Sequence, residues 1–214
     1  KTIARRLSES KNGAPHFYLT ISINMDKAVA ARKGLNELSP VKISYNDMVI
    51  KAVATALRQH PQVNASWLGD SIRYHEHIHI GMAVAVEEGL IVPVIRFADN
   101  KSLSHLAAET KDLANRARNK QLQPDDYAGN TFTVSNLGMY DIEEYTAIIN
   151  PPDSCIMAVG TINQKPAVID GEIKPAHIMK VTLSCDHRAV DGALGAQFLQ
   201  TFKALMEDPV RMLI

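Results

Sequence analysis

The sequence predicts an α/β domain, a mixed β-sheet with helices packed against it. Three observations carry that reading. Short β-branched or alternating runs recur along the chain, as at His16–Asn24 and Ala176–Ser184. Between them lie segments with apolar residues at helical spacing, clearest in Ser102–Leu122, where Leu103, Leu106, Leu113 and Ala117 share one side and charges fill the rest. The 214 residues contain no repeat, linker or low-complexity segment and suffice for one large core, so residues 1–214 read as a single domain.

In chain order, residues 1–12 form a short helix (Ile3 and Leu7 apolar; Arg5, Arg6 and Lys11 polar), stopped by Asn12-Gly13-Ala14-Pro15. His16 to Asn24 is a strand. Asp26 is the expected N-cap of a helix through Leu38, which Ser39-Pro40 ends. Ser44 to Arg58 is a second helix with Val49, Ile50, Val53, Ala54 and Leu57 on one side, closed by Pro61. Ile72 to Val86 alternates as one or two strands, and Glu87-Glu88-Gly89 turns a hairpin into Leu90–Ile95. After the helix from Ser102, short strands are expected around Thr131–Val134, Tyr145–Ile149, Cys155–Ile162 and Pro166–Ile169. A turn at Asp170-Gly171 leads to the strand Ala176–Ser184, a polar turn and a closing helix to Glu207. Pro209 opens an apolar tail, Met212-Leu213-Ile214.

Composition removes several function classes. Lys+Arg and Asp+Glu balance at 23 each, so no electrostatic footprint for nucleic acid or an anionic membrane surface exists. No apolar run reaches the ~18 residues of a membrane span. The opening Lys1-Thr2-Ile3-Ala4-Arg5-Arg6 is amphipathic rather than a signal peptide, and its start in mid-helix pattern reads as a piece of a longer protein. Two cysteines, Cys155 and Cys185, are no secreted disulfide framework, and a reducing compartment is expected.

The chemistry concentrates near the end, in Val181-Thr182-Leu183-Ser184-Cys185-Asp186-His187-Arg188-Ala189-Val190-Asp191-Gly192. An apolar strand enters this run and a helix leaves it, so His187 stands on a turn among Asp186, Arg188 and Asp191. An imidazole there titrates near neutrality and suits a general base. The plain alternative is a turn histidine with aspartates that cap the next helix. A second run, Thr131-Phe132-Thr133-Val134-Ser135-Asn136-Leu137-Gly138, is a strand ending in small polar residues, which by itself fits a strand-to-loop turn. Cys185 could pair with His187 as a nucleophile, although a cysteine within an apolar strand is more often inert core. His75, His77 and His79 alternate and on a strand would share one face. Three imidazoles along one strand diverge rather than converge, so a half-exposed face fits them better than zinc, and no metal is expected.

Asp186-His187-Arg188-Ala189-Val190-Asp191-Gly192 and Thr131–Gly138 together resemble the two signatures of the dihydrolipoamide acyltransferases, core enzymes of the 2-oxo-acid dehydrogenase complexes within the chloramphenicol acetyltransferase-like superfamily. Ile148-Ile149-Asn150-Pro151-Pro152 and Cys155–Gly160 look most like the pyruvate (acetyl) branch, and the resemblance spans residues 1–214. It implies the chloramphenicol acetyltransferase-like α/β fold and acetyl exchange between a lipoyl dihydrolipoamide and coenzyme A. By resemblance His187 is the base and Ser135 the oxyanion donor. Asp191 holds the motif loop by pairing with an arginine, one of Arg5, Arg6 or Arg188. Arg32, Ser44 and Asn136 meet coenzyme A. For Arg32 and Ser44, the residue types alone fit a solvated helix face and an N-cap serine equally well. The resemblance further implies homotrimers that join, through an apolar C-terminus such as Met212-Leu213-Ile214, into a hollow cubic or dodecahedral core. Lipoyl and peripheral-subunit-binding domains are expected upstream, and with them the 2-oxo-acid decarboxylase and dihydrolipoamide dehydrogenase as partners. A bacterial cytoplasm or a mitochondrial matrix suits the chemistry. Another acyl group, succinyl or branched-chain, and a self-assembling scaffold without catalysis remain as alternatives.

Overall fold

A computed structural model of the chain describes residues 2–87 and 89–213, with Thr2 and Ile3 described by backbone only. The chain runs through α1 (Thr2–Gly13), β1 (His16–Asn24), α2 (Asp26–Leu38), α3 (Tyr45–Gln59), β2 (Ala65–Trp67), β3 (Ile72–Tyr74), β4 (Ile80–Met82), β5 (Val84–Val86), β6 (Gly89–Ile91), β7 (Val94–Ile95), α4 (Leu103–Arg118), β8 (Phe132–Asn136), β9 (Cys155–Ile169), β10 (Glu172–Asp186) and α5 (Gly192–Glu207), with short 3-10 turns between. The main sheet has the order β1-β10-β9-β8-β4-β7. β8 runs parallel to β4 and β9, and the other pairings are antiparallel. This is the expected mixed sheet. Glu88, in the expected Glu87-Glu88-Gly89 turn, lies outside the described residues, but Val86 pairs with Gly89 across it.

α3 is the helix the core is built around, because it is apolar on nearly all sides: Met48, Val49, Ile50, Ala52, Val53, Ala54, Ala56 and Leu57 are all buried. It packs on α4 and α5, and α5 lies on β1 and β10. Its start is a capping box in which Ser44 Oγ accepts from the Asp47 N–H (3.2 Å) and Asp47 Oδ2 accepts from the Ser44 N–H (2.7 Å). The other Asp47 oxygen accepts from Thr110 Oγ1 on α4 (2.6 Å), so one buried carboxylate serves two helices. At α2 the expectation needs correcting. Met25 occupies the N-cap position, and Asp26 instead accepts from the His177 N–H (3.0 Å) and pairs with His177 Nδ1 (2.7 Å). Those bonds hold the Asp26 carboxyl below its ordinary value and tie α2 to β10.

Three strand expectations also change. Ile72–Val86 divides into three short strands, because Asn64 Nδ2 donates to the His75 and His77 carbonyls (3.0 and 2.9 Å) and replaces ladder bonds there. Cys155–Ile162 and Pro166–Ile169 merge into the single strand β9, since Pro166 faces Pro175 in register and the missing donors fall at one rung. Beyond β1, whose last pair is Asn24 with Ile178, the β9–β10 hairpin continues alone. Its tip, Asp170 (φ 53°) and Gly171 (φ 82°), has the double positive φ of a type I′ turn. Tyr145–Ile149 is not a strand. Side chains take its backbone bonds: Ser184 Oγ donates to the Ala147 carbonyl (2.7 Å), Ser10 Oγ to the Ile149 carbonyl (2.6 Å), and the Ile149 N–H to His16 Nε2 (3.2 Å).

The stretch just before this side-chain-pinned segment is pressed onto β9 at Gly160, where an added Cβ would stand 2.0 Å from the Glu143 carbonyl oxygen, while the Thr161 N–H donates to the Ile142 carbonyl (2.8 Å). Gly160→Ala should therefore destabilise the domain by about 2 kcal/mol or more, since backbone rather than a flexible side chain must move; denaturant midpoints of the two proteins check it.

A buried carboxylate follows the same segment. Asp153 Oδ2 accepts from Asn130 Nδ2 (2.7 Å) and Thr133 Oγ1 (2.6 Å), whereas buried Oδ1 has no partner among the described residues. Burial raises its pKa from 3.8 to about 7, with the two hydrogen bonds opposing. The folded chain thus keeps a proton that the unfolded chain releases near pH 4, so this group lowers stability as pH rises from about 4 to about 7. Asp153→Asn, which stays neutral, should raise the melting temperature over the parent at pH 8 and gain little at pH 5, as thermal unfolding at both pH values will show.

Candidate active site

β10 ends at Asp186, which is buried and organises the turn that follows. Its carboxylate accepts from the Arg188 N–H (3.0 Å), Nε (2.9 Å) and a terminal guanidinium nitrogen (2.7 Å), and its carbonyl accepts from the Ala189 and Val190 N–H groups (both 3.0 Å). The Arg188 guanidinium lies 5.2 Å from the Trp67 ring centroid. His187 is thereby turned outward and exposed. Its N–H donates to the Pro15 carbonyl (3.1 Å), and its ring leans on Phe17 at 4.8 Å. Among the described residues neither ring nitrogen has a hydrogen-bond partner. A histidine whose backbone and ring plane are held while its nitrogens stay free can exchange protons with a substrate.

Asp191 closes the turn, and within this chain none of Arg5, Arg6 and Arg188 pairs with it among the described residues. Asp191 Oδ1 accepts from the Leu194 N–H (2.8 Å) as the N-cap of α5. Arg188 is engaged by Asp186, and Arg5 pairs with Glu9 (3.3 Å). A carboxylate at a helix N-terminus is stabilised by free N–H groups and the helix dipole. Asp191→Ala should cost about 1 kcal/mol, and Asp191→Ser should recover most of it; urea unfolding of the three proteins decides.

Cys185 faces the opposite way from His187. It is fully buried beneath α5, opposite Cys155 in the ladder, and burial pushes the Cys155 thiol up. The Cys185 thiol is thus enclosed in the core rather than set beside the imidazole. The three histidines are absorbed locally, not ranged on one strand face. His75 Nε2 meets Ser66 Oγ (2.8 Å), the His77 and His79 rings stack at 5.7 Å, and His79 Nδ1 accepts from the Phe97 N–H (3.0 Å).

Ser135 lies near the end of β8, half-buried, with its Oγ 2.8 Å from the Tyr145 hydroxyl. That same hydroxyl is 2.7 Å from the Ser135 carbonyl oxygen. Burial raises the Tyr145 pKa, so the phenol keeps its proton. Sequence reasoning missed Tyr145, because its partner lies ten residues back in the chain and no spacing rule connects them. Arg32, Ser44 and Asn136 come together around the start of α3. Arg32 Nε donates to the Ile43 carbonyl (2.8 Å) and its guanidinium stacks on Tyr45 at 4.4 Å, Ser44 caps the helix, and Asn136 Nδ2 donates to Asn46 Oδ1 (3.1 Å). Ser135 and His187 do not come together. Ser135 is level with Ala158 on β9 and Thr182 on β10, so two strand spacings and five residues of rise separate it from His187, on the order of 20 Å.

The chain matches the 2-oxoacid dehydrogenases acyltransferase (catalytic domain) family over residues 1–214. It belongs to that family. Among its relatives, the dihydrolipoyllysine-residue acetyltransferase component of the pyruvate dehydrogenase complex of Rickettsia bellii is 50% identical over 218 residues, covering 100% of this chain and 52% of that protein. The mitochondrial counterpart of Schizosaccharomyces pombe is 48% identical, covering 100% and 45%. The domain thus spans about half the length of these relatives, which come from bacteria and mitochondria. A solved structure of Azotobacter vinelandii dihydrolipoamide acetyltransferase superposes with a TM-score of 0.95 at 33% identity, covering 100% of this chain and 90% of that one. The catalytic mechanism of that enzyme was investigated through a serine, a histidine and an asparagine, the histidine 52 positions after the serine and four before the asparagine. The cubic core of a pyruvate dehydrogenase multienzyme complex matches with the same score, identity and coverage. Chloramphenicol acetyltransferase shares the fold at a TM-score of 0.60 and 14% identity, covering 94% of each chain. The family is the one the two sequence signatures indicated.

Proposed function

We propose that this acyltransferase domain moves an acetyl group between dihydrolipoamide, carried on a lipoyl domain, and coenzyme A. The observation that carries the reading is the pair Ser135 and His187, with a free imidazole at the end of β10 and a hydroxyl on β8 spaced in sequence as in the Azotobacter enzyme. His187 takes the proton from the attacking thiol, the thiolate forms a bond to the thioester carbonyl carbon, and the carbonyl oxygen becomes an oxyanion that the Ser135 hydroxyl holds. Collapse breaks the bond to the departing sulfur, which recovers the proton from His187. One thioester replaces another, so orientation and proton transfer are what the protein must supply. Arg32, Ser44 and Asn136 border the start of α3, where the arginine fork suits the phosphates of coenzyme A.

Because one chain holds serine and histidine far apart, the site is read as shared, with His187 of one subunit opposite Ser135 of its neighbour in a trimer. Trimers then build a hollow cubic or dodecahedral core. At the C-terminus Met212 is buried in its own domain and Leu213 is 82% exposed, which leaves Leu213 free for contacts between trimers; Ile214 lies outside the described residues. Asp191 supports His187 from the cap of α5. Lipoyl and peripheral-subunit-binding domains upstream would bring in the decarboxylase and dihydrolipoamide dehydrogenase, in a bacterial cytoplasm or a mitochondrial matrix.

Subunit complementation tests the shared site. Ser135→Ala and His187→Ala homotrimers should each lose at least about a hundredfold in acetyl transfer from acetyl-coenzyme A to free dihydrolipoamide. Trimers mixed from the two should regain a substantial part of the parental rate, since neighbouring chains then supply one intact pair. Inactive mixed trimers would return the site to a single chain. Faster transfer of succinyl or branched-chain groups by the parent would move the substrate, and inactivity of an assembled parent would favour a scaffold.

A further inference from the structure

The Tyr145 hydroxyl touches both the Oγ and the carbonyl oxygen of Ser135 (2.8 and 2.7 Å), yet it has one hydrogen to give. Two arrangements satisfy that geometry. In one, Tyr145 donates to the Ser135 carbonyl and the serine hydroxyl donates to the phenol oxygen. In the other, Tyr145 donates to Ser135 Oγ, and the serine hydrogen is free to point elsewhere. The heavy atoms need not move between them. The first suits a resting site, because every hydrogen is satisfied. The second suits an oxyanion, because a serine that accepts one hydrogen bond becomes a stronger donor in the next.

We propose that Tyr145 is a positioning residue for Ser135, holding its Oγ in place and handing its own hydrogen to that oxygen when the serine hydroxyl turns toward the oxyanion. The inference rests on Ser135 being the oxyanion donor and specifies what makes it one. The phenol is well placed for it, since the segment that carries Tyr145 is fastened on both sides, by the close approach of Glu143 to Gly160 and by the Ser184 and Ser10 bonds to Ala147 and Ile149.

The test is steady-state acetyl transfer to dihydrolipoamide by the assembled domain as parent, Tyr145→Phe, Ser135→Ala and the double variant, with assembly checked by sedimentation. Tyr145→Phe keeps the ring and removes only the hydroxyl. Its kcat should fall about tenfold, the effect of one hydrogen bond, with both KM values and the pH profile set by His187 unchanged. Ser135→Ala should fall about a hundredfold or more, and the double variant should be no slower than Ser135→Ala alone, since Tyr145 acts only through the serine oxygen. Parental kcat in Tyr145→Phe would overturn the inference while leaving the serine's role intact. A tenfold loss that persists on the Ser135→Ala background would also overturn it, by showing a structural effect. Parental kcat in Ser135→Ala would remove the oxyanion role of the serine, and the inference with it.

Discussion

The hydrogen-bonded ladder that joins β8, β9 and β10 decides where the functional groups stand. Its spacing is set by backbone chemistry, at roughly 4.8 Å between strands and 3.3 Å along them, so no side-chain choice can draw Ser135 toward His187 within one chain. The ladder also decides which way residues face. Cys185 and His187 are two positions apart, but the strand ends at Asp186, and the turn sends the imidazole out while the thiol stays beneath α5. What resembles a nucleophile pair in sequence is divided between core and surface.

The turn that presents His187 is held from both ends by carboxylates, for different physical reasons. Asp186 is buried, and its charge is met by the Arg188 fork and a backbone N–H, a combination that offsets desolvation. Asp191 is exposed and works through the helix it caps. Neither bonds the imidazole, whose two ring nitrogens have no hydrogen-bond partner among the described residues.

Much of this was legible beforehand because it rests on local rules. The alternation at His16–Asn24 gave the strand with its observed ends, and Asp170-Gly171 gave the hairpin turn. The two signatures marked Ser135 and His187. The misreadings share another origin, a side chain from a distant element taking a bond that a local rule assigned elsewhere. His177 claims Asp26 from across 151 residues, and Asn64 interrupts the Ile72–Val86 alternation. Tyr145 belongs with these. Its alternating apolar neighbours suggested a strand, while its hydroxyl is bonded to β8 and the carbonyls of Ala147 and Ile149 after it take their bonds from β10 and α1.

That difference bears on how the site is built. A strand in the position of 145–149 would have spent its N–H and C=O groups on a neighbouring strand, and its register would have been set by that pairing. Held instead by single side-chain bonds and by the contact at Gly160, the segment takes its position from a few particular residues, so its placement against Ser135 is separable from the fold of the sheet. The sheet then supplies rigidity to Ser135 and to the base of the His187 turn, and the irregular segment supplies the environment of the serine hydroxyl. Substitutions in the segment therefore alter the surroundings of the Ser135 hydroxyl without dismantling the scaffold, whereas substitutions in β9, which joins the strands that lead to Ser135 and His187, disturb both at once.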